Sequence, residues 1–183
     1  MAGASHVYAI EANNASYHSA KEAVNKANLA DKITLLKGFS TNVSLPDGVK
    51  ADVLIYDAYG EIASLDGGPL VISDAWSRFL KEGAKTIPQK VSTFIAPLKG
   101  KEPFFESMDI PFDSRLYSVF GGSDSTNQLA EFQKIEDIDL SDSAAASNSD
   151  TFLSNNKNLE FKVTKAGLIQ GLATYIQVDN SEA

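Results

Sequence analysis

Short apolar runs, each too brief for a helix, alternate with helical stripes through the first half of the chain, and this alternation most constrains the fold. His6-Val7-Tyr8-Ala9-Ile10-Glu11 is an apolar run closed by an acid, and Asn13 and Asn14 then offer caps for a helix reaching about Asn28. Within that helix Ala20, Ala23, Val24 and Ala27 recur at i, i+3, i+4, i+7, which predicts one buried stripe. Lys32–Leu36 and Ala51–Asp57 read as buried strands, separated by the turn Leu45-Pro46-Asp47-Gly48. A second stripe, Ile72, Ala75, Trp76, Phe79 and Leu80, predicts a helix ended by Gly83. Strand, helix, strand, strand, helix predicts an α/β layered domain with a mostly parallel sheet.

After Pro88 the pattern changes to strands without strong helices. Val91–Pro97 opens the series. Leu159, Phe161 and Val163 alternate with Glu160, Lys162 and Thr164, the pattern of a half-solvated antiparallel strand, and Leu168–Val178 follows as a second long strand. Between them residues 141–158, rich in Ser, Ala, Asn and Asp, read as a loop. The division expected is residues 1–97 and 98–183.

Composition narrows the chemistry. The 183 residues contain no cysteine, which removes disulfides, thiolate nucleophiles and cysteine-ligated metals, and only two histidines, His6 and His18, which read as solvated. No metal site is expected. No apolar run approaches the ~18 residues of a membrane helix, and no charged, signal-like start is present, so the default address is cytoplasmic. The net charge of −8 is uneven: residues 1–97 hold 10 acids and 9 bases, residues 98–183 hold 14 and 7. An acidic chain without a basic stripe repels phosphate backbones, which argues against nucleic-acid partners.

Three carboxylates stand where strands and loops meet. Glu11 ends the first strand, and a strand-terminal acid in a nucleotide-binding α/β sheet can accept both ribose hydroxyl protons; by position alone, an exposed acid before a helix cap is the blander reading. Asp57 closes the strand that begins at Ala51, and Asp66 lies nine residues later, before Gly67-Gly68. Two carboxylates at a sheet's carboxyl edge can clamp a cationic substrate, although Asp66 also suits an ordinary glycine turn. No P-loop and no Gly-x-Gly-x-x-Gly is present, and Trp76 sits on a buried stripe that explains it without a ligand.

Together, Val7–Asn13, Lys37-Gly38, Ala51–Gly60, Phe79–Gly83 through Ile87-Pro88, and Phe94–Pro97 resemble the protein arginine methyltransferase family in order and spacing. Leu159–Val163 and Gly167–Leu172 are similar to the last hairpin of that family's substrate-side β-barrel, and Gly60–Ser64 looks nearer to bacterial members. The resemblance implies an incomplete Rossmann-like methyltransferase sheet (residues 1–97) followed by an antiparallel β-barrel-like portion (residues 98–183), with S-adenosylmethionine as cofactor. It implies that Glu11 binds the cofactor ribose, that Gly38, Ser40 and Thr41 lie beside the adenine, and that Asp57 and Asp66 stand where the family has two glutamates gripping the substrate guanidinium. Both acids are one methylene shorter here, and bidentate guanidinium recognition depends on reach.

The family's glycine-rich cofactor loop is expected before Met1 and its His-Trp loop beyond Ala183. The strand carrying the former is expected between those ending in Glu11 and Asp57. The resemblance also implies homodimerisation through an arm near Phe112–Phe132, which shows no heptad pattern. The function expected is N-methylation of arginine or a related cationic group on a protein, peptide or small molecule. The competing expectation is a non-catalytic interaction module built on a methyltransferase scaffold.

Overall fold

The computed structural model describes residues 3–65, 67–99, 127–141, 157–169 and 171–179. Its elements run β1 (Val7–Glu11), α1 (Asn14–Lys26), β2 (Ile33–Lys37), β3 (Ala51–Ile55), α2 (Gly68–Arg78), β4 (Leu80–Ile87), β5 (Lys90–Leu98), β6 (Gln133–Asp139) and β7 (Gly171–Asp179). The expected strand–helix order of the first half is present, and its pairings are parallel. They form two separate two-stranded sheets, β1–β2 and β3–β4, rather than one.

Asn13 caps α1, its side-chain oxygen accepting from the N–H groups of Ala15 and Ser16 at 2.9 and 3.1 Å. The stripe on this helix is only partly realised. Ala20 and Val24 are half-buried, whereas Ala23 and Ala27 face solvent, and no residue of α1 is fully buried. The physical reason is the width of the surface beneath: β1 pairs only with β2 among the described residues, too narrow a ribbon to cover four positions.

Of the second expected stripe, Ile72 and Ala75 on α2 and Phe79 and Leu80 just past its end are buried while Trp76 is half-buried, and the helix ends earlier than expected. Lys50 Nζ donates to the carbonyls of Ser77 and Arg78 at 3.3 and 2.6 Å, and Ala51 N–H takes the Phe79 carbonyl at 2.7 Å. With its last carbonyls satisfied from β3, the helix stops and Leu80 enters β4. Gly83 is therefore not a helix terminator. It lies inside β4 with φ +72°, where the register jumps from Ala51↔Leu80 to Val53↔Lys85, and only glycine adopts that backbone cheaply.

The remaining strands form an antiparallel sheet ordered β6–β5–β7. Central β5 is buried along most of its length, which accounts for its nearly unbroken apolar run. No closed barrel is seen among the described residues. Nor do residues 159–163 form the expected strand: they make only an isolated bridge, Ala130↔Val163. The last strand begins at Gly171, leaving Leu168 and Ile169 exposed. The expected hairpin is not formed among the described residues: residues 159–163 are not a strand, and β7 pairs instead with β5, a partner much farther away in sequence.

One core joins β3, the loop after it, α2 and the antiparallel sheet. Ala63, Ile72, Val91, Ile138 and Leu140 pack together, with Leu54, Tyr56, Tyr59, Trp76 and Ile176 against them. Trp76 is explained without a ligand, as expected, its Nε1–H donating to the Leu140 carbonyl at 3.3 Å. The expected division at residues 97 and 98 falls inside a sheet, since β5 pairs with both later strands. The expected arm lies mostly outside the described residues, as does the loop 141–158 apart from its ends.

Candidate functional site

Parallel pairing of β1 with β2 places Glu11 opposite Lys37, at the carboxyl end of both strands. The Gly38 N–H donates to the Glu11 carbonyl at 3.0 Å, so two of the candidate cofactor residues lie side by side. The Glu11 carboxylate is oriented by its own turn, Oε1 accepting the Asn13 N–H at 2.6 Å. Beside it Lys37 Nζ donates to Asn14 Oδ1 at 2.5 Å and lies 5.9 Å from the centroid of Tyr17. Gly38 has φ +143°, and a Cβ there would stand 3.0 Å from Val43 Cγ1. The chain turns tightly there for both reasons.

Ser40 and Thr41 follow in a single 3-10 turn, Ser40–Asn42, preceded by Phe39, whose ring is 69% exposed. Arg78 at the end of α2 holds this turn. Its Nη1 and Nη2 donate to the carbonyls of Val43 and Ser40 at 2.8 and 2.5 Å, while Nε and Nη2 grip Asp74 at 2.8 and 2.6 Å. The hydrogen bond to Asp74 raises the Arg78 pKa above its ordinary value and keeps the fork charged. Neither Asp74 nor Arg78 was singled out by the sequence reading, although their spacing of four on a helix is the signal for such a pair.

Asp57 lies just beyond β3 and is exposed. Around it Tyr56 donates to the Ala58 carbonyl at 2.9 Å and stacks edge-on against Tyr59, centroids 4.9 Å apart. Burial, with Tyr56 adding to it, pushes the Tyr59 phenol well above its ordinary pKa, so this hydroxyl stays protonated. Ala63 and Ser64 are buried, whereas Asp66 lies outside the described residues. Gly67 has φ +74° and begins α2, consistent with a glycine turn at this place.

Thus Glu11, Gly38 and the turn bearing Ser40 and Thr41 are continuous, and Arg78 links that turn to the helix that follows the Asp57 loop. Glu11 ends β1 and Asp57 follows β3, and these two strands are not hydrogen-bonded to each other among the described residues. His6 donates to or accepts from Thr34 Oγ1 at 2.8 Å, and His18 lies against Tyr17, both exposed. Among the described residues no cluster of His, Asp or Glu is built to hold a metal ion, and no helix is long and apolar enough to cross a membrane.

No family model matches the chain. It is 30% identical over 121 residues to a probable histone-arginine methyltransferase CARM1 of Oryza sativa subsp. indica, covering 66% of this chain and 22% of that protein. A probable protein arginine N-methyltransferase 6.1 of the same plant is 31% identical over 118 residues, covering 64% and 30%. Arabidopsis thaliana protein arginine N-methyltransferase 1.1 is 33% identical over 116 residues, covering 63% and 29%. The chain thus spans less than a third of the length of these relatives.

Among solved structures, the Trypanosoma brucei PRMT1 enzyme-prozyme heterotetrameric complex with AdoHcy superposes with a TM-score of 0.60 at 15% identity, covering 75% of this chain and 46% of that one. Arabidopsis thaliana protein arginine methyltransferase 10, in an open conformation, gives 0.60 at 18%, covering 75% and 48%. These likenesses establish an α/β methyltransferase fold. In sequence over 66% of its length, and in fold, the chain is protein arginine methyltransferase-like.

Proposed function

We propose that the chain carries the cofactor and acceptor elements of an S-adenosylmethionine-dependent N-methyltransferase acting on arginine or a related cationic group. The observation that carries this reading is the junction of Glu11 with Gly38 at the carboxyl ends of β1 and β2, the edge at which α/β sheets bind nucleotides. The named relatives and the AdoHcy of the trypanosome structure support it.

The residues present fit a nucleoside. They offer an oriented carboxylate at Glu11, an exposed aromatic ring at Phe39 and two hydroxyls at Ser40 and Thr41. Bound S-adenosylmethionine would supply the methyl group for a direct displacement. The protein's task is then to align donor with acceptor and to balance the acceptor's charge. Glu11 accepts the ribose hydroxyl protons, Gly38 keeps the turn close, and Ser40 and Thr41 serve the base. Asp57 and Asp66 accept hydrogen bonds from the cationic acceptor and hold its nucleophilic nitrogen in line.

The test is isothermal titration with S-adenosylhomocysteine. Binding by the parent chain and a loss of about 10- to 150-fold in Glu11→Ala is expected, equivalent to ~1.5 to 3 kcal/mol for a charge-assisted hydrogen bond. Unaltered affinity in the variant removes the ribose assignment. No binding at all by the parent favours the second reading, a non-catalytic interaction module, for which the excess of acids in residues 98–183 suits a basic partner.

Residues 1–97 are assigned to the cofactor-binding unit and residues 98–183 to the β-barrel-like substrate-side unit. The acceptor is a protein, a peptide or a small molecule, and self-association as a homodimer and a cytoplasmic address belong to the same proposal.

A further inference from the structure

The loop that follows Asp57 is fastened to the antiparallel sheet by one carboxylate. Glu136 on β6 stands opposite Thr93 on β5, and Thr93 Oγ1 donates to Glu136 Oε2 at 2.6 Å. Thr93 Oγ1 in turn accepts the Ala63 N–H at 3.0 Å. The other carboxylate oxygen, Oε1, accepts the Ser64 hydroxyl in a short hydrogen bond. Two consecutive loop residues are therefore held, Ala63 through its backbone and Ser64 through its side chain. Thr93 is 0% exposed, so water cannot replace its bonds without opening the core.

The choice of partners is informative. The lysines nearest in the sheet, Lys134 and Lys90, approach Asp137 at 3.3 and 3.8 Å, while the bonds of Glu136 go to hydroxyls. Glu136 is half-buried and takes hydroxyl partners rather than a cation, so charge pairing is not what holds it there. What a carboxylate adds is direction: two acceptor oxygens fix two donors at set angles, so the loop has one geometry rather than several.

We propose that Glu136 is a positioning residue that, through Thr93 and Ser64, holds the loop after Asp57 in the geometry needed to receive the methyl acceptor. This rests on the methyltransferase reading for its consequence, but the fastening itself does not. The hydrogen bonds of Glu136 run to Thr93 and to Ser64 of the loop after Asp57, not to the residues assigned to the cofactor, so its loss acts on acceptor geometry.

The experiment combines amide hydrogen exchange with kinetics on the full chain, using an arginine-containing peptide as acceptor and S-adenosylhomocysteine as the cofactor probe. Glu136→Ala should speed exchange at residues 58–65 at least tenfold with β5 and β7 still protected, and Glu136→Gln should fall between it and the parent. Turnover should drop more than tenfold while S-adenosylhomocysteine affinity stays within twofold. A residue that only stabilised the sheet would instead loosen β5 and β6 and leave kcat unchanged at a temperature where the variant is folded.

Ser64→Ala removes one bond without touching the β5–β6 pair, and it should reproduce part of both effects should Glu136→Ala not fold. Unchanged loop exchange in Glu136→Gln and Ser64→Ala overturns the fastening. Faster exchange with parental kcat overturns the positioning role. A parent chain that binds no S-adenosylhomocysteine and transfers no methyl group defeats the methyltransferase reading and with it the catalytic consequence, whereas the exchange result still decides the fastening.

Discussion

Replacing Arg78 by Met keeps the length of the side chain and removes four hydrogen bonds, two to Asp74 and two to the carbonyls of Val43 and Ser40. Bonds from a charged donor contribute about 1.5 to 3 kcal/mol each when shielded. The Arg78 and Asp74 side chains are 32% and 28% exposed, so the ion pair itself is screened and worth little more than ~1 kcal/mol. The two carbonyls can partly rehydrate, which brings their joint contribution to about 1 to 2 kcal/mol. The expected loss for Arg78→Met is therefore ~2 to 3 kcal/mol. Arg78→Lys should lose about half as much, since an ammonium lacks the fork that reaches two carbonyls and a carboxylate together.

Urea unfolding followed by fluorescence reads this directly, because the chain has a single tryptophan, Trp76, on the same helix. S-adenosylhomocysteine titration on the folded variant reads the effect on the turn. Loss of the staple should weaken binding several-fold in Arg78→Met and less in Arg78→Lys. A stability change under 0.5 kcal/mol in Arg78→Met, or equal affinities in the two variants and the parent, would refute the reasoning.

Gly38→Ala forces a side chain into a positive-φ position against Val43, and a loss of roughly 1 to 3 kcal/mol in urea unfolding is expected. Asp57→Asn and Asp66→Asn should each abolish transfer to an arginine peptide with S-adenosylhomocysteine affinity within a few-fold; the paired change Asp57→Glu and Asp66→Glu should raise the rate if arginine is the acceptor, and parental rates in both Asn variants would return the acids to ordinary turn chemistry. The Ser92 hydroxyl, aided by Lys134 and Lys90, holds the Asp137 carboxyl below its usual range, and Ser141 does the same for Asp139. A carboxylate lowered on folding contributes stability above its unfolded pKa of about 3.9 and loses it as pH falls through the folded value, so acid unfolding of Asp137→Asn should show a flatter pH dependence below about pH 4 than the parent.

The Asn13 cap and the stripe of α2 follow from local pattern, because each depends on residues a few positions apart, while the parallel pairings follow from the strand–helix alternation. The strand-end positions of Glu11 and Gly38 were legible for a related reason, since the apolar runs mark where those strands stop. What escaped depended on distant partners. Gly83 resembles a helix terminator in sequence, yet the helix end is decided by Lys50, and glycine there serves a register shift instead. Alternation at Leu159–Val163 describes a residue's exposure, not its neighbour, and the partner that β7 takes is β5, far away in sequence. Glu136 carries no local signal, since the groups that define it, Ser64 and Thr93, are 72 and 43 residues away.

The core shared by Ala63, Ile72, Val91, Ile138 and Leu140 bears on how such a chain can be recombined. Its members come from both sides of the β4–β5 turn, and Leu140 alone accepts from Trp76 and Thr86 and donates to Gln89. A chimera joined at that turn would unite surfaces that were never selected to fit. The exchangeable unit is consequently the Asp57 loop, α2 and the β5–β6 pair taken together, and moving any one of them into another scaffold means transplanting all three.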